Sequence, residues 1–407
     1  MAALSKFFEP PYNCLPCADL LLHRGQTCKQ MLWWNCYRCS LGSLRYFLPL
    51  AVSPLVLRPK SLNRQMLLNI LRHYLESSLW SALACALTFS GICLFRNLLG
   101  RYYLYTATCL PTYLAFQLSW FFPIRTVRLF STATTQAVLE TLLRYRKSFI
   151  TRSLPMQTLI FMLSSAVILH TKRHKEFNGF WFIQPITTGT KQKKSENYED
   201  LKEARSCIHE GKTCFRFILE GMRTYLLYGI PLDLLSIMTK GKAPRSLKEL
   251  KMLRFKMTTF FLSYISIYRL SSCVLTRYSN STYGTPQHLL SAGLGGLSYI
   301  FLDKLTFSVL ALVIAIQAAW QSCCNQHLKH VESGPFSLLK RIPFAKLMIQ
   351  FNIAYLAHCY VFNHDSMSNL AKGFFRGITD NRFERIYQYI TSLLVQHGKC
   401  FDQSEFY

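Results

Sequence analysis

Ser77-Ser-Leu-Trp-Ser-Ala-Leu-Ala-Cys-Ala-Leu-Thr-Phe-Ser-Gly-Ile-Cys-Leu-Phe95 runs for 19 residues without an Asp, Glu, Lys or Arg. Three more stretches share that property: Tyr102–Ile124, Ser153–Thr171 and Leu305–Gln326. A helix needs about 20 apolar residues to cross the hydrocarbon core of a bilayer. One such stretch is compatible with a buried core helix; four in one chain of 407 residues point to a membrane protein. A bilayer leaves the backbone only two spanning forms, the helix and the closed barrel. The ten-residue alternation with turn signals that marks a barrel is not visible. The expected fold is therefore all-α, a multi-pass helical membrane protein with a cysteine-rich N-terminal segment and the lipid bilayer as its solvent.

Around these stretches the chain is strongly basic. Lys and Arg total 47 against 20 Asp and Glu, a formal charge of +27. Only Glu9, Asp19, Glu76 and Glu140 precede Glu176 among the acids. In a soluble protein this balance suggests nucleic acid. Here the basic residues flank the apolar stretches, where they snorkel toward anionic headgroups, so no nucleic-acid partner is expected. Of 15 cysteines, Cys85, Cys93, Cys109, Cys273, Cys323, Cys324 and Cys359 fall in or beside apolar segments, where a thiol behaves as a small buried hydrophobe. The first forty residues have neither the apolar core of a secretory signal nor the Arg-rich amphipathic pattern of a matrix presequence.

Five segments follow. Residues 1–42 are a cysteine-rich head, and 43–171 a first transmembrane group. Within that group Tyr46–Leu57, with Pro49 and Pro54, is too short to span upright and reads as an interfacial or re-entrant piece unless Ser43–Arg45 joins it. The stretches at 77–95 and 102–124 form a hairpin, and Thr126–Leu143 is helical with a polar face that includes Glu140. Residues 172–256 are a basic polar connection: 189–212 reads as an exposed loop and 213–238 as an amphipathic helix. Residues 257–364 form a second transmembrane group. Its segments His288–Leu302 and Leu305–Gln326 are separated only by Asp303-Lys304, so they form one long tilted helix or break at Gly295-Gly296. Residues 365–407 are an amphipathic tail.

Cys14-x-x-Cys17 and Cys36-x-x-Cys39 have the spacing of a four-thiolate zinc site, with His23 and Cys28 between them. Against that, the chain is cysteine-rich throughout and the flanks lack Gly-rich knuckles, so packed or reactive thiols are the favoured reading and no metal or cofactor is expected. Cys323, Cys324, His327 and His330 read as an ordinary interfacial cluster. Ser291, Ala292, Gly295 and Gly296 place small residues four apart, twice, and suit a close helix–helix seam in lipid. Glu140, Arg269, Asp303 and Lys304 are the charges in or beside the membrane, expected to pair or to snorkel rather than to conduct. No Gly-rich phosphate loop, Gly-x-Ser-x-Gly elbow or His-Glu-x-x-His is present, and no catalytic residue or enzyme activity is expected.

Several segments carry a resemblance. Met1-Ala-Ala-Leu-Ser-Lys6, Ser43-Leu-Arg-Tyr-Phe-Leu-Pro-Leu50 and Ala133-Thr-Thr-Gln-Ala-Val-Leu-Glu-Thr-Leu-Leu-Arg144 resemble the transmembrane protein 135 family. Tyr264-Ile-Ser-Ile-Tyr-Arg-Leu-Ser-Ser-Cys273 and His288-Leu-Leu-Ser-Ala-Gly-Leu-Gly-Gly296 do so as well. Residues 255–302 are also distantly similar to the mitochondrial inner-membrane translocase superfamily. The resemblance implies a non-enzymatic protein of mitochondrial and peroxisomal membranes, linked to the balance of mitochondrial fission and fusion, to peroxisome organisation and to lipid metabolism. It implies soluble partners such as the fission dynamin, and leaves an oligomer open. The residues themselves leave a second reading open, a metabolite or lipid transporter or pore.

Overall fold

Thr27 and Gln30 exchange bonds at the start of the first long helix. The Thr27 N–H donates to Gln30 Oε1 at 2.9 Å, and the Gln30 N–H to Thr27 Oγ1 at 3.3 Å. Such a reciprocal cap satisfies backbone donors that a helix start leaves open. The computed structural model describes residues 15–23, 25–57, 63–122, 124–186, 207–209, 213–239, 255–279, 284–327 and 342–396. Every regular element among them is helical. In chain order they are α1 (Cys17–Leu20), α2 (Cys28–Leu57), α3 (Arg64–Leu99), α4 (Leu104–Ala107), α5 (Cys109–Ala115), a 3₁₀ turn (Phe116–Phe121) and α6 (Ile124–Tyr145). Next come α7 (Phe149–Arg152), α8 (Leu154–Arg173), α9 (Cys214–Thr239), α10 (Lys256–Ser279), α11 (Thr285–Gly295), a second 3₁₀ turn (Gly296–Ser298) and α12 (Tyr299–Leu302). The chain closes with α13 (Leu305–His327), α14 (Phe344–Phe362), α15 (Asn369–Ile378) and α16 (Arg382–Gln396).

Among the described residues, three helices are long and apolar enough to cross a membrane: α3, α8 and the Leu305–Asn325 stretch of α13. Between 39% and 56% of their apolar windows is buried inside the protein. The remainder turns outward, as with Leu79 and Leu94 on α3 or Leu159 and Leu163 on α8. An apolar stripe at this helical spacing, left uncovered by protein, is a lipid-facing surface. The chain is an all-α membrane protein. At 36 residues α3 is about 54 Å long, well beyond the ~30 Å hydrocarbon core, so its ends reach the interface.

The fourth uncharged stretch, Tyr102–Ile124, is not a continuous helix. Thr108 leaves helical geometry at φ −143°, ψ −45°, Pro111 follows one turn on, and the last residues tighten into the 3₁₀ turn. Lack of charge reports burial, not helical continuity. The reverse holds for Tyr46–Leu57: it is the second half of α2, which begins at Cys28 and runs through both prolines, so the segment boundary expected at 42–43 lies inside a helix. At the other ambiguous join, the chain tightens over Gly296–Ser298, continues as α12, and reverses at Asp303, whose φ of +42° is a conformation that Asp tolerates better than most residues. Residues 1–14, most of 189–212, His330 and the end of the tail lie outside the described residues, as does the side chain of His327.

The chain forms two units. Unit 1 comprises residues 1–146 and 343–407; unit 2 comprises 147–342. In unit 1, α2 and α3 pair as a hairpin, α3 packs on α5, and α14 packs on α5, the 3₁₀ turn and α6. In unit 2, α9 and α10 pair, α10 packs on α11, and α8 packs on α11, the 3₁₀ turn and α13. The two units thus repeat one plan: hairpin, broken helix, fourth helix, and a fifth drawn from the other half of the chain. Each fifth helix brings an amide to its broken helix. Gln350 donates to Ser119 Oγ and accepts from Gln117, both at 3.1 Å; Gln157 accepts from the Tyr299 hydroxyl at 2.7 Å. Buried polar groups paired this way hold helices together where the hydrophobic effect cannot.

Candidate metal centres

Among the described residues, one cluster of titratable ligands lies in each unit: Cys17, His23, Cys28 and Cys93 in the first, Cys207, His209, Cys214 and Cys273 in the second. Within each, the four donor atoms all lie within 4.8 Å of one another.

The first is assembled by a tight sequence of turns. Cys17 opens α1, the His23 N–H bonds Ala18 O at 2.8 Å, and Gly25 at φ +76° turns the chain toward the Thr27 cap. Cys28 is then the first residue of α2. Cys93 comes from α3, whose last turns lie beside the start of α2 because the two helices form a hairpin. Cys17 Sγ and Cys28 Sγ are 3.7 Å apart, and Cys93 Sγ is 3.6 Å from His23 Nε2. The His23 Nδ1 is 3.2 Å from Gln26 O, which it reaches as a donor, and Nε2 points into the cluster. Arg96 Nε donates to Leu15 O and Arg382 Nη2 to Leu21 O, both at 2.9 Å, pinning the segment on either side of Cys17. Burial, and then the neighbouring Cys28, push the Cys17 thiol up from its ordinary range.

The second cluster repeats this design. Thr213 caps α9 by accepting from the Arg216 N–H at 3.3 Å, and Cys214 is the first helical residue. Cys214 Sγ lies 3.3 Å from Cys207 Sγ and 3.2 Å from His209 Nε2, and Arg277 Nη2 donates to it at 3.4 Å. Cys273 comes from α10, the partner of α9 in the second hairpin. Burial, and then Cys207, push the Cys214 thiol up.

The paired Cys-x-x-Cys pattern is not what the fold assembles. Cys36 and Cys39 lie on α2 away from both clusters, and Cys14 is outside the described residues. Neither Cys323 nor Cys324 joins a described cluster. A different signal marks the ligands: His23-Arg-Gly-Gln-Thr-Cys28 and His209-Glu-Gly-Lys-Thr-Cys214 share the pattern His-x-Gly-x-Thr-Cys. Further matches follow in the same order: Leu44-Arg-Tyr-Phe-Leu-Pro-Leu50 with Leu226-Leu-Tyr-Gly-Ile-Pro-Leu232, Leu118-Ser119 with Leu297-Ser298, and Gln136-Ala137 with Gln317-Ala318. The last pair adds Pro155 and His170 against Pro343 and His358.

The charges sit as follows. Glu140 is fully buried and accepts from Arg144 Nη2 at 2.7 Å, one turn along α6. Arg269 lies one turn from Cys273, with its guanidinium 4.3 Å from the Phe217 ring and donating to the Phe217 carbonyl. Asp303 and Lys304 form the turn into α13. Among the small residues, Ser291 and Ala292 are fully buried, and the two glycines serve different seams. A Cβ on Gly295 would meet Tyr268 and Tyr264 of α10, whereas one on Gly296 would come within 2.7 Å of Met162 Cα on α8.

No protein-family model, no curated protein and no solved structure matches the chain. The fold defines the class, an all-α membrane protein.

Proposed function

We propose that this chain is a non-enzymatic multi-pass protein of mitochondrial and peroxisomal membranes that regulates the balance of mitochondrial fission and fusion and the organisation of peroxisomes, with a link to lipid metabolism. One observation carries the reading. The described segments resembling the transmembrane protein 135 family fall on the packed helices of both units: Ser43–Leu50 on α2, Ala133–Arg144 on α6, Tyr264–Cys273 on α10, and His288–Gly296 on α11 and the first residue of the 3₁₀ turn after it. The likeness thus falls on packed helices other than the three candidate spans, and its first segment, Met1–Lys6, lies outside the described residues. The basic connections between those helices suit anionic lipid surfaces and soluble partners such as the fission dynamin. Imaging of the tagged chain in cells tests the assignment: mitochondrial and peroxisomal membranes are expected, with altered mitochondrial length on deletion. A plasma-membrane or Golgi pattern sinks it.

A second reading, a metabolite or lipid transporter or pore, is favoured by the repeated plan of the two units, because many transporters are built from internal repeats. It requires flux through liposomes that falls when Glu140 or Arg269 is neutralised; flux indifferent to both removes it.

A further inference from the structure

We propose that each unit binds one zinc ion in a closed Cys3His centre, the first through Cys17, His23, Cys28 and Cys93 and the second through Cys207, His209, Cys214 and Cys273. The proposal is independent of the organelle assignment.

The donor set and its dimensions carry the argument. With Zn–S near 2.3 Å and Zn–N near 2.05 Å, a tetrahedron has an S···S edge of about 3.8 Å and an S···N edge of about 3.6 Å. The first cluster has 3.7 Å and 3.6 Å on the two edges given above. The second is tighter on two edges, at 3.3 and 3.2 Å, and its sulfurs would open by about half an ångström around the ion. Three thiolates and an imidazole suit a borderline-soft tetrahedral cation and leave no open coordination position, which makes the centres structural rather than catalytic. Each loaded centre, one Zn²⁺ with three thiolates and a neutral imidazole, would carry a net charge of −1. Arg277, in contact with Cys214, and Arg269, one turn from Cys273, compensate it in unit 2, while Arg96 follows Cys93 by three residues in unit 1.

An independent observation is the repetition. Two separate stretches of chain bring the same ligand types to the same place in the same plan: a cysteine and a histidine from the lead-in, a cysteine at the first residue of a hairpin, and a cysteine late in its second helix. A chance gathering of thiols in a cysteine-rich chain has no reason to recur at equivalent positions. The physical role follows from the hairpin. Its two helices are joined covalently at one end only; the ion ties the other, closing a loop of about sixty residues whose freedom the unfolded chain would otherwise regain. In the first unit this end lies near the interface, where Trp33, Trp34 and Tyr37 are exposed on the opening turns of α2 and the ion can arrive from water.

Metal analysis of the full-length protein, purified in detergent without chelator, tests the proposal. Two zinc ions per chain are expected. Cys28→Ser and Cys214→Ser should each leave one and the double variant none, while Cys36→Ser and Cys39→Ser keep two. Because losing a ligand can unfold a hairpin, the wild-type protein exchanged with cobalt(II) supplies a second reading: a thiolate-to-cobalt charge-transfer band and intense tetrahedral d–d bands are expected. Well-folded protein with no zinc, a Cys17–Cys28 disulfide in its peptide map, or only the weak spectrum of octahedral cobalt overturns the proposal. A single zinc ion, lost with Cys28→Ser but not with Cys214→Ser, overturns the second centre alone.

Discussion

Asp233 illustrates what a single side chain contributes inside such a bundle. It is buried on α9, and its carboxylate accepts from the Met257 N–H at 3.1 Å, the Thr258 N–H at 2.8 Å and the Thr258 hydroxyl at 2.8 Å. Those amides belong to the first turn of α10, which has no intrahelical acceptor for them, and the negative charge sits at the positive end of the helix. Hydrogen bonds to a charged group contribute about 1.5–3 kcal/mol each, and they are not additive. Asp233→Ala should therefore lower stability by about 2–4 kcal/mol, with Asp233→Asn milder, measured as thermal unfolding in detergent. A loss under about 0.5 kcal/mol, the scale of a surface substitution, would show that α10 finds its cap elsewhere. This cap was not legible in the sequence, because donor and acceptor are more than twenty residues apart with no local spacing to announce them. The metal ligands were hidden for a similar reason: Cys28 and Cys93 meet only because α2 and α3 pair. The repeated His-x-Gly-x-Thr-Cys was in plain view, but it takes meaning only when two distant parts of the chain are compared.

At the scale of elements, contact distance between backbones decides which helices pair. A Cβ on Gly42 of α2 would lie 2.6 Å from Gly377 O and 2.9 Å from Asp380 N, both backbone atoms at the end of α15. Gly296 meets Met162 Cα on α8 in the same manner. Backbone cannot rotate aside as a side chain can, so Gly42→Ala and Gly296→Ala should each force two helices apart. Overpacking of this kind costs about 1–3 kcal/mol. Gly100→Ala makes a useful comparison: its Cβ would meet nothing within 4 Å, and the expected loss comes only from its φ of +71°. Thermal unfolding of the three variants checks the ranking, and a harmless Gly42→Ala would mean that α2 and α15 are not in contact. The pattern Ser291, Ala292, Gly295, Gly296 made a close seam legible, but not that adjacent glycines would serve two partners. Helix continuity was the least legible property. Uncharged length suggested one helix across Tyr102–Ile124, where Thr108 and Pro111 break it, and the short apolar run at Tyr46–Leu57 suggested a separate piece unless Ser43–Arg45 joined it, which it does within a helix that starts at Cys28.

For the whole molecule, the all-α membrane class was legible because it follows from uncharged length, a property of composition along the chain. The arrangement of the two units was not, because unit 1 completes itself with a helix from the far side of unit 2 in the sequence. Unit 1 needs α14, whose Asn352 donates to Thr135 Oγ1 at 2.8 Å and whose Gln350 satisfies Gln117 and Ser119. Without α14 those polar groups would remain in an apolar surrounding without partners, at a cost of about 1–3 kcal/mol each. Unit 2, in contrast, is continuous in sequence from residue 147 to residue 342 and contains its own fifth helix, α8. The asymmetry gives a test with fragments. Residues 147–342 expressed alone in membranes should resist protease in detergent. Residues 1–146 alone should be digested at least roughly tenfold faster, because cleavage follows the population of the open form. Co-expression of residues 343–407 should restore the resistance of 1–146, since α14, α15 and α16 then cover the face that α14 occupies in the full chain. If 1–146 is already resistant by itself, its five-helix plan is wrong, and the repeat that relates the two units fails with it.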